Sequence, residues 1–164
     1  MGMYTGLRMK VYVKEEYREM IGDISNHEKD WDEFIHEFPF ISLFAEYDRS
    51  SFIPGGSLCY MPESWCTRDD ENLVDVVHDG FETSFSEDTG YWTFACSLKN
   101  YESEIEVFLS RVASVIVDST KEQYIETLYE ESRYGVLYKV EENGAVAQVG
   151  SNRYTDDELY GEEW

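Results

Sequence analysis

Leu7, Met9, Val11 and Val13 alternate with Gly6, Arg8, Lys10 and Tyr12 in GLRMKVYV, and this period of two predicts a strand with one buried face. The period then changes. In KEEYREMIGDI the apolar positions Tyr17, Met20, Ile21 and Ile24 fall at helical spacing. DWDEFIHEF repeats the pattern with Trp31, Phe34, Ile35 and Phe38, and Pro39 ends that second helix. FISLFAEYDRSSFIPGG is apolar without a period and closes on a turn signal, Pro54-Gly55-Gly56. SLCYMP reads as a short strand.

Two hairpins follow from the same reading. GFETSF sets Phe81, Thr83 and Phe85 against Glu82 and Ser84, and YWTFACSL sets Trp92, Phe94, Cys96 and Leu98 against Tyr91, Thr93, Ala95 and Ser97. SEDTG joins them at hairpin length, which leaves Glu82, Glu87 and Asp88 on the outer face or at the tip. QYIETLYEE and YGVLYKV are strands, and EENG before AVAQV makes the second hairpin, with Asn143-Gly144 tolerant of positive φ. Between the hairpins lies a long amphipathic helix in YESEIEVFLSRVASVIV. Asn100 is its expected N-cap, Ile105, Phe108, Leu109, Val112 and Ile116 form its stripe, and Glu102, Glu104 and Glu106 sit at the positive end of its dipole. The sum is α+β: a mostly antiparallel sheet with two or three helices packed on one face. Residues 1–150 read as a single domain and 151–164 as an acidic, aromatic, mobile tail.

Charge changes the picture more than size does. The 164 residues carry 13 Lys and Arg against 35 Asp and Glu, a formal net charge of -22. Residues 1–30 are nearly balanced, so the excess lies beyond them. With 42% apolar and 16% aromatic residues the chain has ample material for a core, so the acidity does not imply disorder. A surface of this sign repels nucleic acid and anionic membrane and attracts cationic proteins, so direct DNA or RNA binding is not expected. A solvated acidic surface in a salt-tolerant protein accounts for the same charge. No stretch approaches the ~20 apolar residues of a membrane helix, and MGMYTGLRMK has no signal-peptide core. Cys59, Cys66 and Cys96 are an odd count without CxxC spacing, which fits a reducing cytoplasm.

The densest acid run is DDENLVDVVHDGFETSFSED, from Asp69 to Asp88, with eight carboxylates and no Lys or Arg. As a calcium loop counted from Asp75 it puts Gly80 at the required sixth place, but Val77 and Ser86 stand where ligands are needed. Cys59, Cys66, His78 and Cys96 lack the close pairs of a structural zinc site. His27, His36 and His78 have no nucleophile motif beside them, and no phosphate-cradling loop or metalloprotease motif occurs. No catalytic residue, metal or cofactor is therefore expected.

Partner binding fits better. YIETLYEESRY and YTDDELYGEEW interleave carboxylates with Tyr and Trp, which give interfaces large area at low entropic cost, while carboxylates pair with arginine. On a strand Glu126 and Glu130 would point the same way, about 13 Å apart. The candidate contact residues are Asp69, Asp70, Glu71, Asp75, Asp79, Glu87, Asp88, Tyr124, Glu126, Glu130, Asp156, Asp157, Tyr160 and Trp164. The partner would be a basic protein surface, a nucleic-acid-binding protein or a nuclease. An immunity protein plugging a toxin's basic site is one alternative. A small enzyme or ligand-binding protein with an aromatic pocket around Tyr60, Trp65 and Trp92 is another.

The segments YTGLRMKVYVKEEYR, SLCYMPESW and TGYWTFACSLKNYE resemble small acidic proteins carried by phages and mobile elements of bacteria. The motifs are structural in character and transfer no functional residue. The resemblance implies a setting, the host cytoplasm, and a role, the disabling of host restriction or CRISPR-type nucleases, in some cases by mimicking DNA.

Overall fold

The computed structural model describes residues 3–154. Six strands form one antiparallel sheet: β1 (Tyr4–Tyr12), β4 (Ser84–Phe85), β5 (Tyr91–Lys99), β6 (Tyr124–Tyr129), β7 (Tyr134–Val140) and β8 (Val146–Arg153), in the order β4-β5-β1-β6-β7-β8. A separate hairpin pairs β2 (Cys66–Asp69) with β3 (Val74–Val77). The alternating segment at the start of the chain thus becomes the centre of the sheet, bonded on both sides.

One face of that sheet carries the main core. Leu7, Met9, Val11 and Val13 are fully buried there, beside Trp92, Phe94 and Cys96 of β5 and Ile125 of β6. Helix α1 (Arg18–Ser25) covers part of this face with Met20, Ile21 and Ile24. The helix of residues 104–116 buries all five positions of its expected stripe. Trp31, Phe44 and Phe108 meet edge to face with centroids 5.2–5.8 Å apart, and the Trp31 indole donates to the Ile53 carbonyl at 2.6 Å.

Several local expectations shift. The 104–116 helix widens into a π turn at Leu109–Ala113. It starts at Glu104, after Ser103 at φ 62°, yet Asn100 still caps it: its Oδ1 accepts from the Ile105 N–H at 2.9 Å. The predicted second helix shrinks to a 3₁₀ turn, Trp31–Phe34, held by the reciprocal Asp30–Glu33 capping box. Pro39 opens a new turn, Pro39–Ile41, because its fixed φ suits a first helical position. SLCYMP is not a strand; Ser97 of β5 ties it down, donating to the Ser57 carbonyl and accepting from the Cys59 N–H. GFETSF contributes only Ser84 and Phe85 to the sheet.

The β7–β8 hairpin forms as expected, with Gly144 at φ 84°. Its second strand runs on to Arg153, and Tyr154 is buried, so the folded body passes residue 150. The remainder of the expected tail, 155–164, lies outside the described residues.

Candidate functional site

The second face of the sheet is built from the polar positions of the same strands. Gly6, Arg8 and Lys10 of β1 stand opposite Leu128, Glu126 and Tyr124 of β6 in register. Residues 57–81, including the β2–β3 hairpin, fold across them, with Trp65, Leu58, Met61 and Cys66 packed on Leu128 and Tyr154. Gly6 permits this. A Cβ there would overlap Met61 Sδ and come within 2.7 Å of the Trp65 ring.

Arg8 is the centre of this layer. Its guanidinium lies between the rings of Trp65, 4.5 Å away, and Phe81, 4.4 Å away, and its Nε donates to Glu126 Oε1 at 2.8 Å. Glu126 is completely buried and accepts from three more donors: the hydroxyls of Tyr124 at 2.8 Å and Tyr154 at 2.6 Å, and the Asn152 amide at 3.2 Å. The Tyr154 hydroxyl in turn accepts from the Trp65 indole at 2.8 Å. Gly135 leaves room for the carboxylate, since a Cβ at that position would overlap it. Burial first, and the Glu126 carboxylate second, push both Tyr154 and Tyr124 above the ordinary tyrosine pKa.

This cluster corrects one expectation. Glu126 is no surface contact; it is the internal counter-ion of Arg8, and Tyr124 is one of its donors, half-buried. Glu130 lies past the end of β6, where its Oε1 accepts the Tyr4 N–H. The two glutamates therefore do not form an outward pair. A second internal pair repeats the theme: fully buried Glu104 meets Arg49 at 3.3 Å. Glu102 precedes the helix, and the Glu106 carboxylate is held by the Asn100 amide.

The acid run folds as the β2–β3 hairpin with its turn at 70–73. Asp69 shapes that turn: it accepts from the Glu71 and Asn72 N–H groups and from the Asn72 side-chain amide, which hold its carboxyl below the usual range. Asp70 and Glu71 are exposed at the tip. Asp75 is half-buried between Arg68, at 3.2 Å, and the Leu58 N–H. Asp79 is exposed while its carbonyl receives Lys10. Glu87 and Asp88 are exposed in the β4–β5 turn, where their carbonyls accept from Arg18. The structure thus separates the run into a hairpin tip and a turn beside α1. Asp156, Asp157, Tyr160 and Trp164 lie outside the described residues.

Two further surfaces emerge. At the end of the sheet where β1 begins and β6 ends, Tyr60, Tyr101, Tyr129 and Tyr134 are exposed near Glu102, Glu130 and Glu131. There Tyr4 stacks on Tyr60 at 5.4 Å, and the Tyr129 hydroxyl reaches Met3 Sδ and Glu131. On the β2–β3 hairpin Leu73, Val74 and Val76 are exposed, with Leu73 at φ 56°. Trp65 and Trp92 pack on opposite faces of the sheet, and Tyr60 is exposed, so the three do not line one pocket. Among the described residues, Asp30, Asp32 and Glu33 are close enough to share a cation, but Asp30 and Glu33 already serve as a capping box. Burial, and then Asp75, push the Cys66 thiol up to about 11, away from the reactive thiolate form.

Sequence reasoning missed Arg8 and Tyr154, and it set Trp65 in an aromatic pocket with Tyr60 and Trp92 rather than against Arg8. The available signal was Gly6-x-Arg8 on a central strand, where a missing side chain beside a long cation marks something that comes close. No protein-family model, curated protein or solved structure matches this chain.

Proposed function

We propose that this chain is a non-enzymatic binding protein whose acidic, tyrosine-bearing surface docks on a basic nucleic-acid-binding protein, a nuclease of a restriction or CRISPR-type system. One observation carries the reading: the acid run keeps its carboxylates at the surface, while four of the thirteen cations, Arg8, Lys10, Arg18 and Arg49, are drawn onto acceptors of the fold. Arg8 and Arg49 are taken by buried glutamates. Arg18 and Lys10 are taken by backbone carbonyls. The carboxylates at 70, 71, 79, 87 and 88 face solvent, so a surface poor in matching cations attracts a positively charged cleft and speeds encounter with it. The exposed tyrosines at the end of the sheet supply contact area that slows release.

The test is displacement of labelled duplex DNA from purified restriction and CRISPR-type nucleases, followed by fluorescence anisotropy. Displacement is expected at about 50 mM salt and should weaken by orders of magnitude near 200 mM, as DNA itself does. A nuclease bound equally well at both salt concentrations, or binding this chain and DNA at once, would overturn the reading, as would no binding across the panel.

A further inference from the structure

The exposed apolar side chains of the acid run gather on one element. Leu73, Val74 and Val76 are 69%, 52% and 45% exposed, and all three belong to the β2–β3 hairpin. Successive side chains of a strand alternate between its faces, and the register says which face is which. Cys66 opposite Val77 and Arg68 opposite Asp75 make the inner face, where Cys66 packs on the Trp65 cluster and Asp75 accepts from the Leu58 N–H. Thr67 opposite Val76, and Asp69 opposite Val74, therefore make the outer face. His78 continues it, with its Nε2 2.8 Å from Thr67 Oγ1.

Leu73 is a second, independent observation. It sits at the tip with φ 56°, a conformation that favours glycine or asparagine, and Asn72 stands one place before it. A leucine there strains the backbone and, left in solvent, gives little burial in return. The fold gains nothing from this side chain, so its use lies outside the chain.

Charge selects the occupant. Residues 66–79 hold Asp69, Asp70, Glu71, Asp75 and Asp79 against one Arg68. Arg68 belongs to the inner face, where its guanidinium lies 3.2 Å from Asp75. Lys10, at the base of the hairpin, has its ammonium on the Asp79 carbonyl and 4.3 Å from the Phe81 ring. The Asp69 carboxyl is folded into the turn, which leaves Asp70 and Glu71 exposed beside Leu73. The outer face is thus apolar without Lys or Arg of its own, and its tip is anionic. A second copy brings the same tip and the same formal net charge of -22, and is repelled.

We infer that this hairpin is the anchor of an interface: Leu73, Val74 and Val76 pack on an apolar patch of a partner protein, and Asp70 and Glu71 pair with lysine or arginine at the border of that patch. The inference rests on the basic partner proposed above and names the part of this chain that grips it. Apolar burial slows release, and the two carboxylates fix orientation.

The probe is a synthetic amphipathic helix with a leucine stripe bordered by lysines, added to the full chain and followed by methyl NMR. One control peptide replaces its leucines by glutamine, the other its lysines. The Leu/Lys peptide shifts the Leu73, Val74 and Val76 methyl signals, and each control binds at least about tenfold weaker. Leu73→Asn relieves the backbone, so it raises the melting temperature while weakening the peptide. Val76→Thr weakens the peptide with the melting temperature little changed. A lower melting temperature for Leu73→Asn would show that the leucine serves the fold, and would overturn the inference. So would equal binding of either control, shifts confined to other parts of the chain, hairpin methyls already shielded from a soluble nitroxide in the free chain, or concentration-dependent association through the hairpin. Nuclease binding that ignores both substitutions removes this inference and leaves the proposed function standing. Peptide capture at the hairpin without any nuclease binding does the reverse.

Discussion

The two faces of the central sheet solve the same packing problem with opposite chemistry. On the helix side, Leu7, Met9 and Val11 meet Phe94, Trp92 and Ile125 in apolar contact, and the buried Arg49–Glu104 pair sits at the start of the 104–116 helix, away from these strand residues. On the other side, the intervening residues of the same strand, Gly6, Arg8 and Lys10, are covered by a segment with little regular structure, pinned by Arg8 and Glu126. Burying apolar groups is favourable wherever they fall, so the first face tolerates many packings. A buried ion pair is favourable only as far as its donors and acceptors are met; Glu126 accepts from four donors, while Arg8 Nη1 has no partner, so the second face has few alternative packings. The Arg8 cluster therefore contributes the position of the lid more than it contributes stability.

The sharpest way to break this contrast is to remove one charge. Glu126→Leu leaves Arg8 buried without its counter-ion and should destabilise by about 3–5 kcal/mol, measured by urea unfolding. Adding Arg8→Met should restore most of that loss. On the helix side Phe108→Ala should cost a similar ~3–5 kcal/mol by leaving a cavity, and no change on the far face will restore it. If Arg8→Met fails to rescue Glu126→Leu, the two faces do not differ as described.

A smaller effect tests the fit of the lid. Gly6→Ala drives a methyl into Met61 and Trp65 and should cost about 1–3 kcal/mol, with quenching or a shift of Trp65 fluorescence. Gly150→Ala is the control: its Cβ would sit 3.6 Å from Leu137, an ordinary contact, and the change should stay within about 0.5 kcal/mol.

Smaller still is the loss of one hydroxyl. Tyr154→Phe removes a donor to Glu126 and an acceptor for Trp65, and should cost about 1–2 kcal/mol. The same hydroxyl gives the cluster an alkaline limit. Its pKa is raised in the folded chain, as is that of Tyr124, so the protonated form is favoured by folding. That stabilisation is fully present below the unfolded value near pH ~10 and is lost as the pH rises toward the folded values. Urea midpoints taken from neutral to strongly alkaline pH should fall above that point, and Tyr154→Phe should flatten the fall. The smallest effect belongs to the partly exposed Arg68–Asp75 pair on the hairpin, where Arg68→Ala should cost under about 1 kcal/mol and respond to salt.

The sequence was legible where one local period decided the outcome. Alternation located β1 and β5, the stripe located the 104–116 helix, and Asn143-Gly144 located the β7–β8 turn. The acid run was not legible as a hairpin, because Thr67, Asp69, Val74 and Val76 present no apolar side to a core; Val74 and Val76 remain exposed. Nor was the interior role of Glu126, whose partner Arg8 lies 118 residues earlier. A glutamate between Ile125 and Thr127 looks like the outward half of an alternation. Only a guanidinium delivered by a neighbouring strand, and a lid to keep out water, turn it inward.

Gly6 has a consequence beyond this one chain. A methyl group at position 6 and an indole at position 65 exclude each other, so neither site is free to drift alone. In any relative with this architecture, a larger residue at the first position must arrive with a smaller one at the second. The two columns of an alignment should change in step although nearly sixty residues separate them.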